Sequence, residues 1–227
     1  MTKYIFLIHC PETVEPGAFK PRLFDTLVPR LLALKPEKLK IGLTEPKLPR
    51  FAVVPFKRTG LAMISVWDKW DDRAAEWQAE MSSLGWQVFG YQVAESTPVA
   101  YQKDWKDGEV SPGMVMLTIM KKNARLQHKQ FMQEWFGHHT PMAMRIHPLW
   151  NYIRNVVESA VVEGSPAFDG IVEEHVRERR DITNPVRYFG GLLHFIANMI
   201  RVGLHARKFL DLSVIENYLL TEYHIRS

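Results

Sequence analysis

The chain has 227 residues, with 46% apolar and 24% charged side chains and a formal net charge of +4, so it holds enough apolar material for a core. Basic and acidic residues are shared evenly, 15 against 14 over 1–110 and 14 against 11 over 111–227, which excludes a nucleic-acid arm in either half. Cys10 is the lone cysteine, which rules out an intrachain disulfide and fits a reducing cytoplasm.

The opening run KYIFLIHC (3–10) is apolar, β-branched and aromatic, the mark of a buried strand. It is too short for a signal-peptide core or a membrane span, and no run of about eighteen apolar residues follows, so no membrane partner is expected. Residues 17–34 show helical spacing at Phe19, Leu23, Phe24, Leu27, Val28 and Leu31, with Pro21 and Pro29 expected to shorten or kink the helix. Lys35 to Arg58 holds seven basic residues, two acids and four prolines, and reads mostly as solvated loop enclosing one strand, KLKIGLTE (38–45). GLAMISVWDKW (60–70) reads as a strand. DDRAAEWQAEMSSLG (71–85) is a helix with an Asp start and a Gly end, and WQVFGYQV (86–93) is a strand.

The order then recurs. A strand at 113–122 precedes a helix at 125–139, strands at 148–157 and 168–176, a helical segment at 184–210 broken by Gly190–Gly191, and a strand at 213–225. An offset of 110 aligns Tyr4 with Met114 and Gly60 with Gly170, the economical sign of a tandem repeat. The β-α-β-β-α-β order in each half is the ferredoxin-like unit. The expected fold is α+β: two such repeats, 1–105 and 112–227, joined by a polar linker and fused into one dimeric-type α+β barrel. Such a barrel closes within a monomer, and a homodimer is compatible with it.

The second half carries the titratable clusters: EWFGHHTPMAM, WNYIRN and FDGIVEEHV. These segments resemble the EthD family of the dimeric α+β-barrel superfamily. Trp135, His139 and Pro141 fall on its aromatic-Trp…His-x-Pro pattern, Tyr152 and Asn155 on its Tyr-x-x-Asn, and Asp169, Gly170, Ile171 and Glu173 on its Tyr-Asp-Gly-Ile-x-Glu, with Phe168 in place of the Tyr. The resemblance implies a cavity for a small hydrophobic compound and no cofactor. It implies a lyase-type activity (dehydratase, decarboxylase or cyclase) on an aromatic or polyketide-like substrate. The alternatives are an accessory protein that binds such a compound for a degradation pathway, and a cofactor-free monooxygenase.

A cofactor-free catalyst needs a group that moves a proton and groups that stabilise an enolate or phenolate. His139, Tyr152 and Glu173 are the expected catalytic residues. His139 is placed at a helix C-terminus, which would favour its charged form. Glu173 is the acid expected to face inward, or else to ion-pair with Arg145 or Arg154 across the barrel. Trp135, His147, Trp150, Asn155 and Asp169 are candidate binding residues. Strand alternation sets Trp150, Tyr152 and Arg154 on one face and Asn155 on the other, and separates Asp169, Ile171 and Glu173 from Gly170, Val172 and Glu174. No HExxH or paired-cysteine pattern is present, so no metal is expected, and glycine-rich nucleotide loops and GxSxG are absent.

Overall fold

The computed structural model describes residues 1–15, 17–45, 48 and 54–227; part of the Lys35–Arg58 stretch therefore lies outside the described residues. The first half contains β1 (Thr2–His9), helix α1 (19–33), β2 (Lys38–Thr44), β3 (Leu61–Asp68), α2 (Ala74–Ser82) and β4 (Val88–Val99). The second contains β5 (Met114–Met120), helix α3 (128–146), β6 (Asn151–Ala160) and β7 (Gly170–Val176), then α4 (Arg179–Thr183), α5 (Pro185–Tyr188), α6 (Phe195–Phe209) and β8 (Glu216–Arg226).

The eight strands form a closed antiparallel barrel in the order β1-β3-β2-β8-β5-β7-β6-β4. Each half contributes four strands in the same relative order, and the seams β2–β8 and β4–β6 join the halves. The Leu7↔Met63 pair of β1–β3, moved by 110, becomes Leu117↔Glu173, itself a pair of β5–β7. Closure removes every sheet edge.

Closure also explains why the strands read as continuous apolar runs. One face packs inside the barrel and the other lies under helices, so both are buried. Ile5, Leu7, Leu117, Ile119, Ile171 and Leu220 fill the interior. Tyr4, Phe6, Ile8 and Ile64 face outward beneath α1 and α2 with Leu23, Leu27, Leu31 and Trp77.

Neither Pro29 nor Pro141 ends its helix. α1 runs unbroken from 19 to 33 through a π-helical turn, Leu23–Leu27, placed just before Pro29. α3 repeats the device: a π-helical stretch, Gln133–His139, precedes Pro141, and the helix continues to Ile146 instead of ending at 139. Proline has no N–H to give the preceding turn, and widening that turn lets the helix pass it. α2 starts after Arg73 without a side-chain cap, so Asp71 and Asp72 do not start it as the sequence suggested. Asp68 is instead tied to Trp77 Nε1 (2.7 Å) and Arg73 (3.0 Å).

Candidate active site

A cavity of about 410 Å³ lies outside the barrel, between the helix-facing surface of the second half's strands and helices α3, α5 and α6. Its walls are mostly apolar: Met116, Met120, Val172, Met199, Val202 and Phe209 among them. The polar groups are Thr118, His139, His147, Tyr152, Glu174, Tyr188 and Asn217. Thr118 Oγ1 donates to Asn217 Oδ1 (2.8 Å), which consumes that pair locally.

Of the residues expected from sequence, Trp135, His139, His147 and Tyr152 line this cavity. Trp135 reaches it because β7 starts with Gly170: a Cβ there would sit 2.7 Å from Trp135 Cη2 and 2.6 Å from Met120 Cε. Tyr152, on the outward face of β6, is fully buried. Burial and the neighbouring Glu174 carboxylate raise its pKa, while hydrogen bonds with Thr140 and Trp135 act in the opposite direction, so it stays protonated.

His139 is on the inner side of α3, within the helix and not at its end. Its Nδ1 lies 3.2 Å from His205 Nδ1 on α6, and the rings stack. His205 Nε2 in turn meets Glu134 Oε2 at 3.1 Å. The carboxylate only accepts, so Nε2 of His205 carries the proton; Nδ1 of a neutral His205 then accepts, and His139 Nδ1 donates to it. That leaves Nε2 of His139 with its lone pair. Burial, then the neighbouring His205 and His147, lower the His139 pKa to about 3. The helix-end effect expected to charge it does not operate there.

His147 is oriented by the same logic. Its Nδ1 is 2.9 Å from the Tyr188 carbonyl oxygen, which can only accept, and its ring stacks on the Tyr188 ring at 4.0 Å. The free lone pair is therefore on Nε2 of a ring that lines the cavity. The Tyr188 hydroxyl donates to Glu174, and burial together with that carboxylate holds the tyrosine's pKa well above its usual value.

The other expected residues sit elsewhere. Glu173 and Asn155 face the barrel interior. Glu173 meets Lys40 at 2.6 Å and Lys3 at 3.3 Å, and Asn155 bonds both Lys3 (2.8 Å) and Glu173 (3.1 Å). Burial alone would raise the Glu173 pKa; Lys40 and Lys3 overcome it and hold the group near 2. The partners across the barrel are these lysines, not Arg145 or Arg154; Arg154 bonds Thr140 (3.1 Å) and lies 3.6 Å over Phe136. Trp150 stacks with Tyr101 and Trp105 in a cluster that also holds His175 and His224. Asp169 accepts the Lys122 N–H at 2.9 Å, fastening the start of β7 to the end of β5.

Sequence reasoning passed over Glu174, Tyr188 and His205. Alternation had already grouped Glu174 with Gly170 and Val172; the missing fact was that the cavity lies on that face. Tyr188 and His205 come from α5 and α6, whose placement no local pattern announces.

Among the described residues, two groups are spaced to hold a cation, with ligand atoms within 4.8 Å: Glu134, His138 and His205, and Glu173, His175 and Glu222. In the second, the Lys40 ammonium already supplies the positive charge, at 2.6 Å from Glu173 and 3.0 Å from Glu222. In the first, Glu134 Oε2 lies 3.3 Å from His138 Nδ1 and 3.1 Å from His205 Nε2.

The closed eight-stranded barrel with helices on its outer face is the dimeric α+β-barrel fold. Two solved structures share it over nearly their whole length: an anthrone oxidase-like protein (TM-score 0.63, 9% identity, covering 100% of this chain and 94% of that one) and a "Putative monooxygenase" from Fusobacterium nucleatum subsp. nucleatum (TM-score 0.55, 5% identity, 99% and 92%). No family model matches the chain, and no curated protein does, so the EthD resemblance rests on its motifs alone.

Proposed function

We propose that the chain is a cofactor-independent oxygenase acting on a small lipophilic phenol or anthrone-like compound. The observation that carries this reading is one wall of a mostly apolar cavity on which Tyr152, Glu174, Tyr188 and a tautomer-fixed His147 converge. The names of the two solved structures, oxidase-like and monooxygenase, fit it; they lend no support to the lyase expectation.

The chemistry is set by the substrate. A base removes the proton from a carbon between two aromatic rings, leaving a delocalised anion. The anion passes one electron to O₂, the radical pair closes a C–O bond, and the hydroperoxide loses water to leave a ketone. For anthrone the balance is anthrone + O₂ → anthraquinone + H₂O. His147 Nε2 takes the first proton and returns it to the peroxide anion. It then takes the remaining proton from the same carbon as the O–O bond breaks and the C=O bond forms, and passes it to the departing hydroxide, which leaves as water. The Tyr152 hydroxyl donates to the substrate oxygen where negative charge grows, and dry walls strengthen that bond. Neutral His139 accepts from a substrate hydroxyl and orients it; a base with a pKa of about 3 has little driving force for proton abstraction.

We further read the halves, 1–105 and 112–227, as tandem ferredoxin-like repeats with the site in the second, a reading supported by their common strand order and single offset. EthD-like ancestry is supported by Trp135, His139 and Tyr152 all lining the cavity.

Oxygen uptake with anthrone, in buffer containing a metal chelator, tests the function. Uptake and quinone formation at equal rates above the spontaneous background are expected. Tight anthrone binding without faster uptake would replace the enzyme with a binding protein.

A further inference from the structure

The outer face of α6 and the turn before it carry a row of aliphatic side chains that stand exposed among the described residues. Leu192, Leu193, Ile196, Ile200 and Leu204 are 75%, 90%, 57%, 52% and 57% exposed. Their spacing of about four residues aligns them along one side of the helix, starting from the turn at Gly190 and Gly191, both with positive φ. Large aliphatics exposed together mark a surface that is covered in use.

The charges carried by this segment itself have one sign, with Glu134 of α3 reaching α6 only at His205 among the described residues. From Ile182 to Leu210 the sequence has no Asp or Glu, while Arg201, Arg207 and Lys208 are present; Arg187 is taken up by Asp181 (2.7 Å). Arg201, Arg207 and Lys208 are exposed along the row. The opposite side of the same helix, Met199, Val202, Ala206 and Phe209, is the cavity wall.

We infer that α6 and the Gly190–Leu193 turn seat the protein on an anionic lipid bilayer, aliphatics in the acyl boundary and cations at the headgroups. A second copy of the chain fits less well. Fifteen residues make a helix about 22 Å long. A strip of that length and about 10 Å width offers a few hundred Å² at most, against roughly 800 Å² per partner in a stable interface. It would also bring like charges together. Bilayer docking is distinct from spanning, for which no helix among the described residues is long and apolar enough. It would place the outer wall of a lipophilic cavity against a reservoir of lipophilic compounds. The inference stands apart from the oxygenase reading.

The test is co-sedimentation of the full chain with vesicles of phosphatidylcholine alone or with about a third phosphatidylglycerol. Binding to the anionic vesicles is expected, at least tenfold weaker without the anionic lipid. Leu193→Asp with Ile200→Asp should lose it at least tenfold. Arg201→Glu with Arg207→Glu should abolish the preference for anionic lipid, and needs no apolar residue replaced should the first pair fail to fold. No binding by the parent chain, or equal binding by both variants, overturns the inference. So does a dimer in light scattering that Leu193→Asp with Ile200→Asp dissociates, since that would give the row to a second copy.

Discussion

Two imidazoles share the cavity, and their hydrogen bonds give them different work. His147 keeps a free Nε2 because the Tyr188 carbonyl fixes the proton on Nδ1. His147→Gln is expected to lower kcat at least a hundredfold, the usual share of a general base. His139→Gln should act mainly on KM, by tenfold or less, because it retains a hydrogen-bonding group there. Equal losses in both variants would contradict the division of roles. The His139 shift can also be checked directly. A histidine whose folded pKa lies below its unfolded value stays neutral where the unfolded chain already binds a proton, so it contributes stability above the unfolded value near 6.5 that is lost as pH falls towards 3. In NMR its ring signals should hold steady from pH 8 to 5; a midpoint near 6.5 would refute the assignment.

At the scale of elements, the site depends on close approach between α3 and β7. Gly170 leaves room for the Trp135 ring. Gly170→Ala should press on that ring and on Met120, costing about 1–3 kcal/mol in denaturant unfolding as overpacking does. Because the displaced ring borders the cavity, ligand affinity should fall with stability; unchanged affinity would show that Met120 yields alone. The strands and their order could be read from sequence because two-faced burial leaves unmistakable apolar runs, and alternation correctly parted Tyr152 from Asn155. The extent of α3 could not be read, since Pro141 signals a stop unless the preceding turn widens. Nor could the choice between Glu173 and Glu174. Both faces of β7 are buried, one in the barrel and one against helices, so burial gives no hint of which acid meets a ligand.

For the whole molecule, the barrel interior holds a charge network in place of a purely apolar centre: Lys3, Lys40, Glu173, Glu222 and His175, with Glu95 at its edge. It links strands of both halves, Lys40 on β2 to Glu222 on β8 and Lys3 on β1 to Glu173 on β7. Removing one partner strands a buried charge, so Glu173→Gln should cost about 3–5 kcal/mol. Glu173 is held near 2, below its unfolded value; its contribution is present above about pH 4.5 and lost as pH falls towards 2. Acid unfolding of the parent chain should steepen across that window, and Glu173→Gln should flatten it. An unaltered acid limb would show that the network is incidental to stability.

Ligand is expected to enter the space between the second half's strands and α6, not the barrel interior. Ala206 lines that space on α6 and is remote from the interior charges. The direct measurement is the Kd of an anthrone-type ligand for Ala206→Trp against the parent chain. Filling the cavity is expected to abolish binding while the fold persists; an unchanged Kd in a folded variant would contradict the account.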